Sequence, residues 1–312
     1  MPKESIRVAV VQAGSVLFDT ERTLQKAADL TRDAARQRAE LVVFPEAFVG
    51  GYPKGLDFGA RVGSRTSEGR EQFRAYYDQA LTIPGDGCAA LGAIARQHAV
   101  YLVTGVIERD GGTLYCTVLF FAPDGTLAGK HRKLVPTAAE RLIWGQGDGS
   151  TLTVLNTPLG RIGAAICWEN YMPLLRMAMY SKGVELYCAP TVDDRDTWLP
   201  TVRHIACEGR CFVLSACQYL KRSDCPEMYD GRDAHFADVL IRGGSCIIGP
   251  LGDVLAGPDF SGECILAADL DLREITRAKF DLDVVGHYAR PDVFQLVVNE
   301  QSATTVSCKH SG

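Results

Sequence analysis

The sequence predicts an α/β fold in which buried sheets are covered by helices, and three observations carry that prediction. Short β-rich apolar runs alternate with segments of helical periodicity along the chain. Several of those runs, "LVVFPE" (41–46) and "VELYCAPT" (184–191) among them, are apolar at consecutive positions, as strands buried on both faces are. Hydrophobic residues make up 46% of the 312, and no low-complexity linker or tandem repeat breaks the pattern, so one packed domain is the simplest organisation.

In chain order, "IRVAVVQA" (6–13) reads as the first strand, and residues 20–39 follow as a helix with Thr20 available as its cap. "LVVFPE" is a strand that stops at Pro45. Residues 67–80 and 86–98 read as helices, then "VYLVTGVIE" (100–108) and "LYCTVLFFAPDG" (114–125) as strands separated by turn residues. "LTVLNTPLGRIGAAIC" (152–167) reads as a hairpin turning at Pro158 and Gly160, ahead of a helix at 173–182. A helix near 197–209 joins the strand at 184–191 to "CFVLSACQY" (211–219). "GGSCIIGPLGDVLAG" (243–257) is a second hairpin and "CILAADLDL" (264–272) the last strand. Residues 1–297 are expected to form the domain, and 298–312 a disordered polar tail.

Composition excludes several classes of function. Net charge is 33 − 38 = −5, and the densest basic run is the four residues "KHRK" (130–133), which argues against nucleic-acid binding. No segment reaches the roughly 18 continuous apolar residues of a membrane helix, and the first residues lack the pattern of a secretory signal. A cytoplasmic protein is expected. Eleven cysteines, odd in number and irregular in spacing, do not make a disulfide framework. Cys207 and Cys211 lie one helical turn apart without a second pair to complete a zinc site. The six histidines show no metal-ligand spacing. There is no G-x-S-x-G elbow, no H-E-x-x-H, and no dinucleotide spacing in "GQGDG" (145–149).

Three segments carry residues suited to chemistry. In "AAICWENYMP" (164–173) one thiol, Cys167, stands where a strand gives way to a helix. A helix N-terminus lowers a thiol pKa, so a depressed pKa is expected there. The same turn leaves the Trp168 N–H available to a developing anion. In "VFPEAF" (43–48) an apolar strand ends by presenting Glu46 among phenylalanines, surroundings that raise a carboxyl pKa and suit a general base. In "GKHRKLVPTAAER" (129–141) Lys133 is expected on a loop beside the sheet edge, with Glu140 seven residues on as its partner. Taken alone, each has a plain structural alternative: a buried inert thiol, a solvated carboxylate, a surface lysine.

Together with "FPEAFVGGYPKG" (44–55), "HRKLVPTAAERLIWGQGDGS" (131–150), the long block from Cys167 to Gln218 and "DVVGHYARPDVF" (283–294), these segments resemble the nitrilases of the carbon–nitrogen hydrolase superfamily. The resemblance runs from about residue 5 to about residue 297. It implies a four-layer α-β-β-α sandwich, with Cys167 as nucleophile, Glu46 as general base, Lys133 as stabiliser of the intermediate and Glu140 as a second, structural glutamate. It implies hydrolysis of a small-molecule nitrile to the acid and ammonia through a thioimidate and a thioester, without metal or organic cofactor, in a dimer or larger spiral of identical chains. Tyr52, Trp168, Pro190 and Thr191 are expected to line the substrate pocket. An amidase or carbamoylase on the same scaffold, a cyanide hydratase, and a non-catalytic scaffold are the competing readings.

Overall fold

The computed structural model describes residues 3–226 and 237–303. The N-terminal half runs β1 (Ser5–Gln12), α1 (Thr20–Arg36), β2 (Leu41–Val43), a small hairpin of β3 (Ala60–Arg61) and β4 (Ser64–Arg65), α2 (Ser67–Asp78), α3 (Asp86–His98), β5 (Tyr101–Asp110), β6 (Thr113–Phe121) and β7 (Leu127–Arg132). The second half runs β8 (Val154–Thr157), β9 (Gly160–Ala164), α4 (Pro173–Ser181), β10 (Leu186–Cys188), α5 (Trp198–Gly209), β11 (Phe212–Ser215), β12 (Tyr219–Lys221), β13 (Val239–Arg242), β14 (Ser245–Ile248), β15 (Val254–Asp259), β16 (Cys264–Asp271) and α6 (Arg273–Ala278). The first sheet has the order β16-β1-β2-β5-β6-β7 and the second β15-β14-β11-β10-β9-β8. β1, β2 and β5 are mutually parallel, as are β9, β10 and β11, while the outer pairs are antiparallel. β16 closes the molecule by pairing with β1 from Ser5–Asp271 to Gln12–Cys264.

Side-chain alternation explains the layers. Along β1, Ile6, Val8 and Val10 point into a core shared with Ile162, Leu186 and Leu214 of the second sheet. Ala9 and Val11 point the other way, onto Ala27 and Ala34 of α1 and Leu91 of α3. Across the molecule, Leu186 and Cys188 of β10 face the shared core, whereas Tyr187 meets Leu175 and Met179 of α4 and Val202 of α5. Both faces of the central strands are therefore buried, which is why their sequences are apolar at every position. The result is the expected sandwich of helix, sheet, sheet and helix. α1 buries only small residues at helical spacing, Thr23, Ala27, Thr31 and Ala34, so it sits close on the first sheet.

The structure departs from the sequence reading at several places. Asp19, not Thr20, caps α1, accepting from the Arg22 N–H, since the helix begins at Thr20 itself, one residue earlier than a Thr20 cap requires. Lys133 follows a strand at the sheet edge as expected, but the sequence does not itself mark that strand: residues 127–132 form edge strand β7, whose Lys130 and Arg132 bind the buried Glu108 carboxylate. β3, β4, β13 and α6 carry no strong sequence signal. The run 211–219 breaks after Ser215 and re-forms as β12. Within the tail that begins at 298, Ala303 N–H donates to Asp148 at 2.7 Å and Glu300 pairs with Lys182. Residues 304–312 lie outside the described residues.

Candidate active site

Each of the three segments with chemical promise leaves the C-terminal end of a strand. β2 stops at Val43, and the next turn presents Glu46. That turn lies so close to β5 that a Cβ on Gly105 would stand 2.3 Å from the Pro45 carbonyl oxygen and 2.7 Å from the Glu46 Cα. Only glycine tolerates this approach. Gln218 fixes the turn from the other side, its Nε2 donating to the Glu46 carbonyl at 2.8 Å. Lys133 directly follows β7, with its N–H on the Cys116 carbonyl at 2.8 Å and its own carbonyl accepting from Gly147 at 2.8 Å. Cys167 stands three residues beyond β9 and opens a 3-10 turn, Cys167–Tyr171, with φ at +51°. This conformation strains a residue with a Cβ, and the surroundings hold it: the Cys167 N–H donates to Pro190 O at 2.9 Å, and Asn170 Nδ2 donates to the carbonyls of Ala165 and Cys167.

The structure brings these three side chains and Glu140 into one buried cluster. Lys133 Nζ donates to Glu46 Oε1 at 2.6 Å and to Glu140 Oε2 at 2.8 Å, and all three side chains are at least nine-tenths buried. Glu140 is held in turn by the Thr137 N–H at 2.6 Å and the Tyr52 hydroxyl at 2.8 Å. Glu46 Oε2 has no hydrogen-bond partner among the described residues, although the carboxyl faces the Cys167 thiol. Thr191 donates its hydroxyl to Cys167 Sγ at 3.2 Å. The Trp168 N–H donates to no acceptor among the described residues.

Burial dominates the electrostatics. It pushes the Glu46 carboxyl above its usual range, the nearby Lys133 charge opposing and Glu140 reinforcing the rise. Burial works against the Lys133 charge most strongly of any single influence, but the acidic groups around it, Glu46 first and Glu140 among them, together outweigh burial and keep the ammonium protonated. The Cys167 thiol is pushed upward, first by burial and then by the Glu46 charge. The expectation of a depressed thiol pKa is therefore wrong. The α-helix that would supply the dipole starts only at Pro173, and the thiol lies in a desolvated site facing a carboxylate. The resting group is a thiol with a base aimed at it, not a free thiolate.

Of the four expected pocket residues, Tyr52 and Trp168 join Cys167, Lys54 and Arg195 in lining a cleft of about 200 Å³. Thr191 contacts the thiol itself, and Pro190 contributes its carbonyl to the turn. Trp168 is 40% exposed, and its Nε1 donates to Asp193 at 2.8 Å. Arg195 lies over the Trp168 ring at 4.6 Å and pairs with Asp193 at 2.5 Å, so one wall of the cleft is a locked indole–guanidinium–carboxylate unit. Sequence reasoning named Trp168 but missed Asp193 and Arg195 of this wall. It also missed Trp144, whose ring meets Tyr52 and stands 5.7 Å from Lys133 Nζ, and Cys116, whose Sγ lies 3.6 Å from Glu46 Oε1. A cysteine in an apolar strand reads as a core residue, and nothing local marks either position. Histidine was read as satisfied or superficial, and His131 is satisfied: fully buried, it contacts Glu169 and Thr151 O. A thiol, a base and a fixed cation converging on one cleft are suited to covalent attack on an electrophilic carbon followed by hydrolysis.

The sequence profile of the carbon–nitrogen hydrolase family matches residues 7–280. Over 96% of its length the chain is 61% identical to an aliphatic nitrilase of Sinorhizobium fredii, covering 97% of that protein. It is 56% identical to a bifunctional nitrilase/nitrile hydratase of Nicotiana tabacum, over 97% of this chain and 88% of that one. Among solved structures, Nit3 of Saccharomyces cerevisiae superposes with a TM-score of 0.71 at 23% identity, covering 92% of this chain and 97% of its own.

Proposed function

The chain belongs to the carbon–nitrogen hydrolase family, and from that premise we propose that it is a nitrilase, which converts a small-molecule nitrile and two waters into a carboxylic acid and ammonia. The observation that carries the reading is the buried Glu46 carboxyl facing the Cys167 thiol beside the Lys133 ammonium, in a chain whose full-length relatives are nitrilases.

Glu46 takes the thiol proton as Cys167 Sγ bonds to the nitrile carbon, and returns it to the nitrile nitrogen, leaving a thioimidate. Glu46 then draws a proton from water as its oxygen adds to the same carbon. Lys133 and the Trp168 N–H hold the charge of the tetrahedral intermediate. The proton passes to nitrogen, ammonia departs and a thioester remains. A second water, activated by the same carboxylate, releases the acid and restores the thiol. Glu140 and Tyr52 keep Lys133 aimed at Glu46 throughout. Because the thiol starts protonated, its deprotonation belongs to the attack step, and a carboxylate made more basic by burial suits that step.

The tetrahedral intermediate can also expel sulfur and give the amide, and the likeness to the bifunctional nitrilase/nitrile hydratase of Nicotiana favours some amide product here too. Aliphatic, dinitrile and aromatic nitriles are the substrates to try first. Two further readings accompany this one. The chain works as a homo-oligomer, supported by the exposed apolar side chains of the segment after α6, Phe280 and Val297 at 90% and Phe294 at 79%. It works in the reducing cytoplasm, supported by the free thiols of Cys88, Cys188, Cys211 and Cys246 among the described residues.

The test is ammonia release from a panel of aliphatic and aromatic nitriles and their amides, with acid and amide products resolved and Cys167→Ala as the blank. Nitrile turnover that vanishes in the blank is expected. Turnover of amides alone, or activity retained in Cys167→Ala, would overturn the assignment.

A further inference from the structure

Two residues that take no part in the chemistry above tie its halves together. Glu169 stands two positions after Cys167 and is 1% exposed; His131 stands two positions before Lys133 and is fully buried. Glu169 Oε1 accepts from the N–H of Leu134, the residue after Lys133, at 2.5 Å. Its Oε2 accepts from the N–H of Ile166, the residue before Cys167, at 2.8 Å, and contacts His131 Nε2 at 3.0 Å. One carboxylate thus bridges the segment that carries the lysine and the turn that carries the thiol.

The proton positions follow from the partners. Both Glu169 oxygens accept from backbone N–H groups, so the group is a carboxylate. His131 Nδ1 faces the Thr151 carbonyl at 3.1 Å and Nε2 faces that carboxylate, so both ring nitrogens face acceptors and both must donate. The pair is a buried imidazolium–carboxylate. Burial disfavours each charge, and each offsets that for the other: Glu169 holds His131 above its usual pKa, and His131 with the two N–H donors holds Glu169 below its own. Such a pair is a poor source of net stability, because desolving two charges consumes most of their attraction. What it does supply is a fixed geometry between two backbones that the core alone would leave free to slide.

We propose that Glu169 and His131 are positioning residues, forming a charged brace that sets the distance between Lys133 and Cys167 and thereby the reach of Lys133 to the tetrahedral intermediate. The proposal rests on the nitrilase reading only for its activity readout. The brace acts after substrate is bound, so its loss lowers kcat and leaves KM nearly unchanged. Displacing a reacting group by about 1 Å costs about 100-fold in rate.

The experiment compares wild type with Glu169→Gln and His131→Gln, with kcat counted per folded site by mass-spectrometric titration of the Cys167 thiol. Glutamine at 169 keeps size and one acceptor but presents an NH2 to one of the two backbone N–H groups. The expected result is a fall in kcat per titrated thiol of about 100-fold in each variant, with KM within about threefold of wild type, and a double variant no worse than the worse single one, as for residues acting as a unit. A purely structural role would lower the yield of titratable protein and leave kcat per site unchanged, and that result overturns the proposal. If Glu169→Gln does not accumulate folded, Glu169→Asp keeps the charge and shortens the reach, and the same split in its constants decides. If the wild type turns over no nitrile, the nitrilase reading fails. The brace is then judged by the alkylation rate of Cys167 by iodoacetamide as a function of pH: a profile identical in wild type and both variants overturns it, and a changed profile in both upholds it.

Discussion

At the scale of single residues, the site works by desolvation. Glu46, Lys133 and Cys167 are ordinary side chains whose acid–base behaviour is altered because water has been removed around them. This makes a prediction about pH. In the proposed mechanism Glu46 must be ionised to accept the thiol proton, and its pKa is raised above the usual 4.5. As pH falls, the base is therefore lost earlier than an exposed glutamate would be, and kcat/KM for a nitrile declines through a value above 4.5. The Cys167 thiol is raised too, so the rate gains nothing from a thiolate forming at ordinary thiol pH. A pH–rate profile checks both points; an acid limb at or below 4.5, or a rate rising steeply with thiol ionisation near pH 9.0, would contradict this account. Glu46, Lys133 and Cys167 stood out as reactive side chains beside strand ends, but each alone had a plain alternative, and the family resemblance of the motifs around them made the three, with Glu140, legible as a site. Cys116, Trp144 and Asp193 were not, because each matters only through a neighbour remote in sequence.

At the scale of elements, three strand ends deliver three groups, and their delivery depends on how closely backbones pack. Gly105 in the middle of β5 is the clearest case. Gly105→Ala places a methyl group against the Pro45 carbonyl oxygen and the Glu46 Cα, so the Glu46 turn must move outward. Overpacking of this kind costs about 1–3 kcal/mol, and displacing the base lowers kcat by about 100-fold. Thermal melting and steady-state kinetics of the purified variant check both; wild-type kcat would show that the turn is not held by this contact. The strand the sequence concealed, β7, is an edge strand whose own run, LAGKHR, is largely small or charged, and its lysine and arginine read as a solvated basic run. Edge strands carry such charges to deter pairing with other chains, and here the same side chains are drawn onto Glu108. The wrong expectation for the thiol has a related cause. The sequence marks a helix after Cys167 but not the 3-10 turn that separates the two.

At the scale of the whole molecule, two sheets share one core, and their outer faces are covered by helices, yet the segment after α6 leaves large apolar groups on the surface. Phe294 and Val297, exposed at 79% and 90%, adjoin Met177 of α4 around a groove of about 590 Å³. Exposed groups of this size mark a surface that a partner covers. Sedimentation at micromolar concentration is expected to show species of at least twice the 33.9 kDa chain mass, and Phe294→Glu to shift them toward the single chain. A single-chain species for the wild type across that range would refute the oligomer.

The sequence by itself determined the α/β class and, through its resemblance to a family, the layered arrangement and the residues proposed as nucleophile, base and cation. Each of these is written in local periodicity or in short motifs. The tertiary structure alone decided that burial pushes the Cys167 thiol pKa up, that the Glu46 carboxyl faces that thiol, that Asp193 and Arg195 lock Trp168, and that Glu169 and His131 join the segments of Lys133 and Cys167. Those facts depend on burial and on distances between residues far apart in the chain. Desolvation and close approach are properties of the packed interior, and no window of sequence contains them.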